Sequence, residues 1–249
     1  MFSTSLLLAM LSSGSPIAPQ HPLDASVPGW HGRYAIADPK AKALVRAMNR
    51  AYATCRTYRD RGTMTDESER IVFETRFRRP DRILFKYRGT SDAQDLVYWT
   101  VGKRGKVVEE GYGGKTVEGL SIPTNGWYGP GRLEANRSLG LTVAGFTGIS
   151  RGTATTVPNM LFPWEVRALS FPDMADLRLV GSAKERGVLC DVLESKKHLT
   201  KAWIERKTRL LRRLEERFDP SDPMSVTLYE PRIDVPVSDA ELTFAPPSP

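Results

Sequence analysis

The stretch Ile71–Tyr87, with the sequence IVFETRFRRPDRILFKY, decides the fold of this chain. Apolar side chains recur at alternate positions in both halves of the stretch: Ile71, Phe73, Phe77, Ile83, Phe85 and Tyr87. This period of two is typical of strands that bury one face, and Pro80-Asp81 interrupts it at the centre. The stretch therefore predicts a β-hairpin with an aromatic inner face. Two strands cannot bury such a face alone, so more sheet or a helix must cover it.

A helix is predicted before this hairpin. Asp38 is a suitable N-cap, Pro39 fits the first helical position, and apolar residues then recur at helical spacing up to Tyr52. The helix is expected to end near Cys55. Period-of-two patterns mark further strands at Thr57–Met64, Leu96–Val101, Lys106–Glu110, Leu177–Gly181, Val188–Val192, Leu199–Glu205, Leu210–Phe218 and Met224–Tyr229.

The middle of the chain differs in composition from its flanks. Gly111–Pro130 is rich in glycine and proline and predicts a long loop, whereas Leu133–Ile149 and Thr153–Phe162 show helical patterns. A helix, a succession of strands and a helical insertion predict an α+β fold. We expect an incomplete antiparallel β-barrel, a strongly curved sheet with helices over its concave face, in a single domain covering residues 38–249.

The charge of the chain narrows the choice of partners. The net charge is +7, but 36 basic residues are interleaved with 29 acidic ones and form no polybasic block, which disfavours nucleic-acid binding. An anionic membrane surface or lipid headgroup suits this charge at least as well. The densest basic stretch is either a solvated strand face or a docking surface for an anionic partner, and it comprises Arg206, Lys207, Arg209, Arg212, Arg213 and Arg217.

The N-terminus has the pattern of a secretory signal. Met1–Gln20 contains no charged residue and places the apolar run Leu6–Leu11 before small residues, so export is expected, with an irregular mature N-terminus at residues 21–37. The missing positive charges leave a terminus without signal function as the alternative. No cysteine lies near the cleavage region, so a lipid anchor is not expected. No stretch reaches the roughly 20 apolar residues that span a bilayer.

Cysteine and histidine usage points to no metal site. Cys55 and Cys190 are too widely separated for a redox motif, so they form either a disulfide, which export would permit, or two buried free thiols. The three histidines, His21, His31 and His198, lack metal-ligand spacing. Neither a metal nor another cofactor is expected.

Two motifs resemble catalytic signatures by chance. Ser150 lies in a G-x-S-x-G pattern with Asp191 and His198 after it, but the preceding segment looks helical, where a nucleophile elbow needs a strand. Gly114-Lys115-Thr116 resembles the end of a P-loop, yet Glu109 stands where that loop requires glycine. No catalytic residue is predicted.

Six aromatic residues fall at apparently inward positions of successive strands: Phe73, Phe77, Phe85, Tyr87, Trp99 and Trp203. Most such residues form an ordinary core. A wide curved sheet can also enclose more volume than its side chains fill, which would leave an apolar cavity under the helical cover. The pattern allows either role.

The chain resembles the LolA-like family of periplasmic outer-membrane lipoprotein carriers over roughly Pro39–Pro247. The residues that carry the resemblance are Ala51-Tyr52 before Thr57-Tyr58-Arg59-Asp60, the hairpin Phe77-Arg78-Arg79-Pro80-Asp81-Arg82, Trp203-Ile204-Glu205 before Leu210-Leu211-Arg212-Arg213, and Phe244-Ala245-Pro246-Pro247. Glu205 stands where the family often has aspartate. The family fold is an incomplete barrel with a helical lid, which agrees with the fold predicted above.

The resemblance implies a soluble, monomeric, non-enzymatic carrier in the periplasm. It would bind lipid or lipoprotein acyl chains, contact envelope transport proteins and touch membranes transiently. The six aromatic residues would line the cavity, and Leu133–Phe162 would form a lid whose apolar side comprises Leu139, Val143, Phe146 and Leu161. The alternatives are an envelope sensor or scaffold that binds a partner protein and, third, a hydrolase that uses Ser150.

Overall fold

The computed structural model describes residues 36–80, 82–89, 95–100, 126–131, 156–161, 171–217 and 219–243. The helices are α1, Pro39–Thr54, and α2, Thr156–Leu161. The strands are β1 Thr57–Thr65, β2 Arg70–Arg78, β3 Arg82–Gly89, β4 Asp95–Thr100, β5 Gly126–Gly131, β6 Arg178–Glu185, β7 Val188–Ser195, β8 Thr200–Glu205, β9 Leu211–Glu216, β10 Ser225–Leu228 and β11 Arg232–Ile233. Short 3-10 turns lie at Phe171–Asp173 and Ala240–Leu242.

All the strands belong to one sheet, in the order β5-β4-β3-β2-β1-β10-β9-β8-β7-β6, with β11 paired to β1. Neighbours are antiparallel except β4 and β5, which are parallel. Within the described ranges β5 and β6 are the two edges and do not pair with each other, so the sheet is not closed. A mostly antiparallel, open sheet with an N-terminal helix is therefore confirmed, whereas the parallel pairing of β4 and β5 departs from the purely antiparallel sheet that the sequence predicted.

Two predictions for the middle of the chain have different outcomes. The sequence predicted a loop at Gly111–Pro130, but its end forms part of β5, because backbone pairing with β4 outweighs the low strand propensity of its glycines and proline. The helical pattern at Thr153–Phe162 is confirmed in α2. The strand predicted at Lys106–Glu110 and the helix at Leu133–Ile149 lie outside the described residues.

The central hairpin is confirmed as β2 and β3. Phe73 pairs with Tyr87, and Phe77 pairs with Ile83, so the apolar positions of both strands share one face. The face on which α1 lies is here called the covered face. The buried cluster there includes Leu44, Met48 and Tyr52 of α1, Phe73, Phe77, Phe85 and Tyr87 of the hairpin, and Leu193, Ala202, Ile204 and Leu214 of β7, β8 and β9.

Polar contacts hold α1 at both ends. Asp38 caps its N-terminus, where Oδ1 accepts a hydrogen bond from Lys40 N at 2.8 Å, and Oδ2 accepts one from Leu179 N of β6 at 2.9 Å. At the other end the Arg79 guanidinium, from the turn between β2 and β3, donates to backbone carbonyls of Tyr52, Ala53 and Cys55. The helix therefore runs across the strands, from the β6 edge to the central hairpin.

The opposite face of the sheet has its own small apolar cluster. The C-terminal segment packs there against β3 and β4, and the buried members of the cluster are Leu84, Val97, Trp99, Val237 and Leu242. No helix in the described ranges is both long and apolar enough to cross a membrane.

Arg79 should contribute strongly to stability because it donates hydrogen bonds to carbonyl groups at the ends of both helices. Its Nη2 also donates to the Leu161 carbonyl at the end of α2, at 2.9 Å. Replacing Arg79 with methionine keeps the aliphatic stem but leaves these carbonyls without their donor, which should lower the free energy of unfolding by about 3 kcal/mol. Urea unfolding followed by circular dichroism measures the change.

Arg56→Met is the matched control for this substitution. Arg56 is exposed at the same end of α1, and its backbone N–H and carbonyl, rather than its side chain, make the recorded contacts. We expect its stability to match that of the wild type. Equal losses in the two variants would contradict the role given to the Arg79 guanidinium.

Candidate functional site

Four of the six aromatic residues selected from the sequence lie together on the covered face. Phe73, Phe77, Phe85 and Tyr87 belong to one buried cluster, and none is more than 4% exposed. The rings of Phe73 and Phe85 stack with centroids 6.5 Å apart. The four side chains thus form a continuous aromatic surface beneath the helices, and their role in lining a ligand cavity remains a prediction.

The other two aromatic residues point away from the covered face. Trp99 pairs with Leu84, and both belong to the cluster on the opposite face. Trp203 alternates with Ala202 and Ile204, which lie in the core beneath α1, so its ring also projects to the opposite side. The prediction that Trp99 and Trp203 face inward is wrong, because the inward parity of each strand follows from its register with its neighbours.

The predicted lid is described only at its end. Leu161, in α2, is fully buried and packs into the core cluster. Its backbone carbonyl receives the hydrogen bond from Arg79. Leu139, Val143 and Phe146 lie outside the described residues, so a lid stays a prediction.

The two cysteines are free thiols, and the disulfide considered for them is not formed. Cys55 belongs to the core cluster on the covered face. Cys190 pairs with Glu205 in the register that sets Leu193 opposite Ala202, so it lies on the other face of the sheet. The sheet itself separates the two sulfurs. Burial raises the pKa of Cys55 to about 12, and it also raises the pKa of Cys190.

A glycine makes room for the aromatic surface. A Cβ atom on Gly62 of β1 would lie 2.1 Å from Cζ of Phe73 and 2.6 Å from the carbonyl oxygen of Leu228. The Phe73 ring therefore lies directly over the β1 backbone, where only glycine fits. On its other side the ring packs edge-on against Tyr229, with centroids 5.8 Å apart.

Gly62→Ala should displace the Phe73 ring. The added methyl group overlaps the ring, so the free energy of unfolding should fall by about 2 kcal/mol in urea titrations. Combining Gly62→Ala with Phe73→Leu should cost less than the sum of the two single changes, because the smaller side chain vacates the overlap. Strict additivity in this double-mutant cycle would contradict the packing described here.

A buried carboxyl group interrupts the apolar covered face, and sequence analysis did not find it. Asp60 of β1 is 2% exposed, and its Oδ2 accepts a hydrogen bond from the Tyr58 hydroxyl at 2.9 Å. Its Oδ1 accepts another from Glu230 N at 2.7 Å. Burial raises the pKa of Asp60 to about 7, although both hydrogen bonds lower it. The sequence pattern could have identified Asp60 as an inward residue, because it alternates in step with Tyr58 and Met64 along β1.

The Asp60 carboxyl should make stability depend on pH. Its pKa is 3.8 in a model peptide and about 7 in the fold, so folding takes up a proton between these values. The free energy of unfolding should therefore fall as pH rises through this range, by up to about 1.4 kcal/mol per pH unit. Burial also raises the pKa of Glu216 to about 7, which adds a slope of the same sign.

Asp60→Asn should flatten this dependence and leave the Glu216 contribution. Urea unfolding at several pH values between 4 and 7 measures the slope for both proteins. Asp60→Asn should also be more stable than the wild type above pH 7, where the wild type must bury a charged group. An unchanged slope would contradict the assignment to Asp60.

The basic stretch that the sequence offered as a docking surface is largely paired within the protein. Arg206 and Arg209 both contact the Asp191 carboxylate. Arg212 pairs with Glu205 at 2.5 Å, and Arg213 pairs with Glu185 and Glu215. Arg213 and Lys201 also flank the Trp203 ring at 4.9 and 5.9 Å from its centroid. These contacts favour the interpretation of the stretch as a solvated strand face over its interpretation as a docking surface for an anionic partner.

The described residues hold no cluster of three or more histidine, cysteine or acidic side chains arranged for a metal ion. Ser150 lies outside the described residues. Asp191, the acidic residue that followed it in hydrolase order, is engaged by Arg206 and Arg209. On the covered face the described residues therefore assemble an apolar surface that contains the buried carboxyl group of Asp60.

Comparison with known proteins finds similarity among solved structures. No protein-family model matches the chain, and no curated protein matches it. A crystal structure of MucB is 14% identical, covers 84% of this chain and superposes with a TM-score of 0.46; the chain spans 64% of the length of that MucB structure. LprF from Mycobacterium bovis is 9% identical over 81% of this chain and 96% of its own, with a TM-score of 0.41.

A LolA superfamily protein from Nitrosomonas europaea also matches, at 8% identity over 82% of this chain and 97% of its own, with a TM-score of 0.21. The solved structures similar to this chain thus include a member of the family that its sequence resembles. Because every one of these TM-scores lies below 0.5, the function has to be inferred from the residues of the chain itself.

Proposed function

We propose that this protein is a non-enzymatic carrier that binds acyl chains of lipids or lipoproteins on the covered face of its sheet. The observation that supports it is the aromatic surface formed by Phe73, Phe77, Phe85 and Tyr87 beneath α1. Such a surface, rigid and apolar, suits a flexible hydrocarbon chain, which needs contact area rather than hydrogen bonds.

The dimensions of the sheet support this proposal. Ten strands at about 4.8 Å spacing make a surface about 45 Å across, measured along the sheet. The helix α1 has 16 residues and is therefore about 24 Å long and about 10 Å wide. It spans only a part of this width, so the rest of the apolar layer over the sheet comes from other groups, among them α2 and Phe171. In the proposed function an acyl chain contributes to that layer.

Binding by burial provides enough free energy for a carrier. Each methylene group transferred from water contributes about 0.8 kcal/mol, so a chain of about 16 carbons offers more than about 10 kcal/mol. For the lipid to be released, a free-energy cost of the bound state must offset part of this gain. In this proposal α2 supplies it, because separating α2 from the sheet breaks the hydrogen bond between Arg79 and the Leu161 carbonyl and exposes Val157, Met160 and Leu161.

The cellular setting forms part of the same proposal. The signal-like Met1–Gln20 supports export to the periplasm, where an acyl chain needs a protein to cross the aqueous space. The protein would act as a monomer, receive its lipid from one envelope component and deliver it to another, with transient contact to a membrane surface.

A second candidate is an envelope sensor or scaffold that binds a partner protein. Trp203 favours it, because this half-buried ring lies on the face opposite the helix, flanked by Lys201 and Arg213, in an arrangement common at protein interfaces. Native mass spectrometry after gentle purification separates the two functions. A carrier should retain the mass of a lipid, and a scaffold should not.

Phe85→Ala should weaken binding of a fluorescent fatty-acyl probe by about tenfold, because it removes contact area from the centre of the aromatic surface. Phe77→Asp and Phe85→Asp should abolish binding, because each places a carboxyl group among side chains that are buried in the core cluster. Fluorescence titration gives the dissociation constant, and a thermal unfolding curve verifies each variant.

Trp203→Ala is the matched control, since it truncates an aromatic side chain on the opposite face of the same sheet. Its dissociation constant for the probe should equal that of the wild type. Equal weakening by Phe85→Ala and Trp203→Ala, or unchanged binding in both, would contradict a site on the covered face.

A further inference from the structure

A cleft of about 350 Å³ opens where β8 begins and β9 ends. Its lining consists of Met174, Lys196, Lys197, His198, Leu199, Thr200, Glu216, Arg217 and Pro220. The volume lies at the lower end of the range for small-molecule pockets, about 300 to 1,000 Å³. The cleft therefore suits a compact polar group better than a whole lipid.

The cleft is continuous with the covered face. Thr200 and Glu216 have the same inward parity as the core residues Ala202 and Leu214 of their strands. Met174 packs against the core cluster from the cleft side. A molecule whose apolar chain lies along the covered face can thus place its polar end in this cleft.

The turn that carries the cationic side of the cleft is held in place by Asp176. Its Oδ1 accepts a hydrogen bond from the Ser195 hydroxyl at 2.7 Å, and its Oδ2 accepts one from Lys197 N at 3.0 Å. The Ser195 hydroxyl oxygen in turn accepts from His198 N at 3.1 Å. The backbone that bears Lys196 and Lys197 is therefore fixed without use of their side chains.

The charged groups of the cleft make no ion pairs within the described residues, in contrast to the paired arginines nearby. Within the described ranges the ammonium groups of Lys196 and Lys197 contact no carboxylate. Arg217 donates from Nη1 to the Pro220 carbonyl, while its Nε is buried without a partner. The carboxyl group of Glu216 forms no hydrogen bond or ion pair within the described residues, and burial raises its pKa to about 7. The cleft thus presents three cationic side chains and one carboxyl group, none of them in an ion pair within the described residues.

We propose that this cleft binds a zwitterionic headgroup that combines a phosphate with a primary ammonium, of the phosphoethanolamine class. Lys196, Lys197 and Arg217 contact the phosphate, and the Glu216 carboxylate accepts hydrogen bonds from the ammonium. The role of the attached acyl chain rests on the function proposed above, whereas the headgroup contacts stand on the cleft itself.

The two signs of charge select this class over simpler ions. A phosphate alone would place its negative charge in the same cleft as the Glu216 carboxyl, and an ammonium alone would meet three cationic side chains. A zwitterion satisfies both sets of groups at once. It also keeps Glu216 in its charged form, because a neighbouring ammonium lowers the pKa of a carboxyl group.

The test uses headgroups without acyl chains, titrated into the isotope-labelled full chain and followed by NMR shifts of the cleft amides. O-phosphoethanolamine should bind about tenfold more tightly than inorganic phosphate or glycerol 3-phosphate. Glu216→Gln should remove this preference and leave phosphate binding in place. Lys196→Gln combined with Lys197→Gln should weaken all three ligands, whereas Lys207→Gln, a matched change in the exposed turn after β8, should weaken none.

Equal affinities for O-phosphoethanolamine and inorganic phosphate in the wild type, or a preference that survives in Glu216→Gln, would overturn the proposal. So would the absence of shifts at the cleft amides. A neutral pyrene-labelled monoacylglycerol tests the acyl-chain function separately, and both cleft variants should bind it like the wild type. Loss of probe binding in the wild type, with headgroup binding intact, overturns the carrier function alone.

Discussion

The attachment of α1 to the open sheet at both of its ends is the constraint on which the rest of the structure depends. Asp38 ties its first turn to the edge strand β6, and Arg79 ties its last turn to the central hairpin. Both contacts use charged side chains at the helix ends where the backbone lacks partners and where the helix dipole favours their sign. Between these two ends, Leu44, Met48 and Tyr52 pack the helix onto the apolar face.

That face is specialised in two ways that an ordinary core does not require. Gly62 removes a side chain from β1 so that the Phe73 ring can lie directly over the backbone. Asp60 brings a carboxyl group into the same strand at full burial, where its solvation cost is met by Tyr58 and Glu230 N. A core under selection for stability alone would avoid such a group, and proteins tend to retain a destabilising group where function uses it.

The sequence was informative where a pattern is local and uninformative where it depends on distant strands. The β2–β3 hairpin and α1 could be predicted because alternation, an N-cap and helical spacing are properties of neighbouring residues. The orientation of Trp203 could not, because alternation within a strand does not say which of its two faces turns toward the core, and the pairing of β8 with β7 and β9 decides this. The two cysteines could not be assigned for the same reason, since only the register puts them on opposite faces.

The position of unpaired charged groups could not be predicted from the sequence for the same reason. Composition shows 36 basic and 29 acidic residues without showing which of them are paired. In the fold, Arg206 and Arg209 share the Asp191 carboxylate of β7, Arg212 pairs with Glu205 of β8, and Arg213 pairs with Glu215 of its own strand. Four of the six basic residues in the densest stretch are therefore paired. Basic groups without an ion pair in the described residues lie at the cleft beside Glu216, which contains Lys196 and Lys197 and only the last residue of that stretch, Arg217. Pairing, which requires the sheet register, thus locates a charged site better than the density of charged residues does.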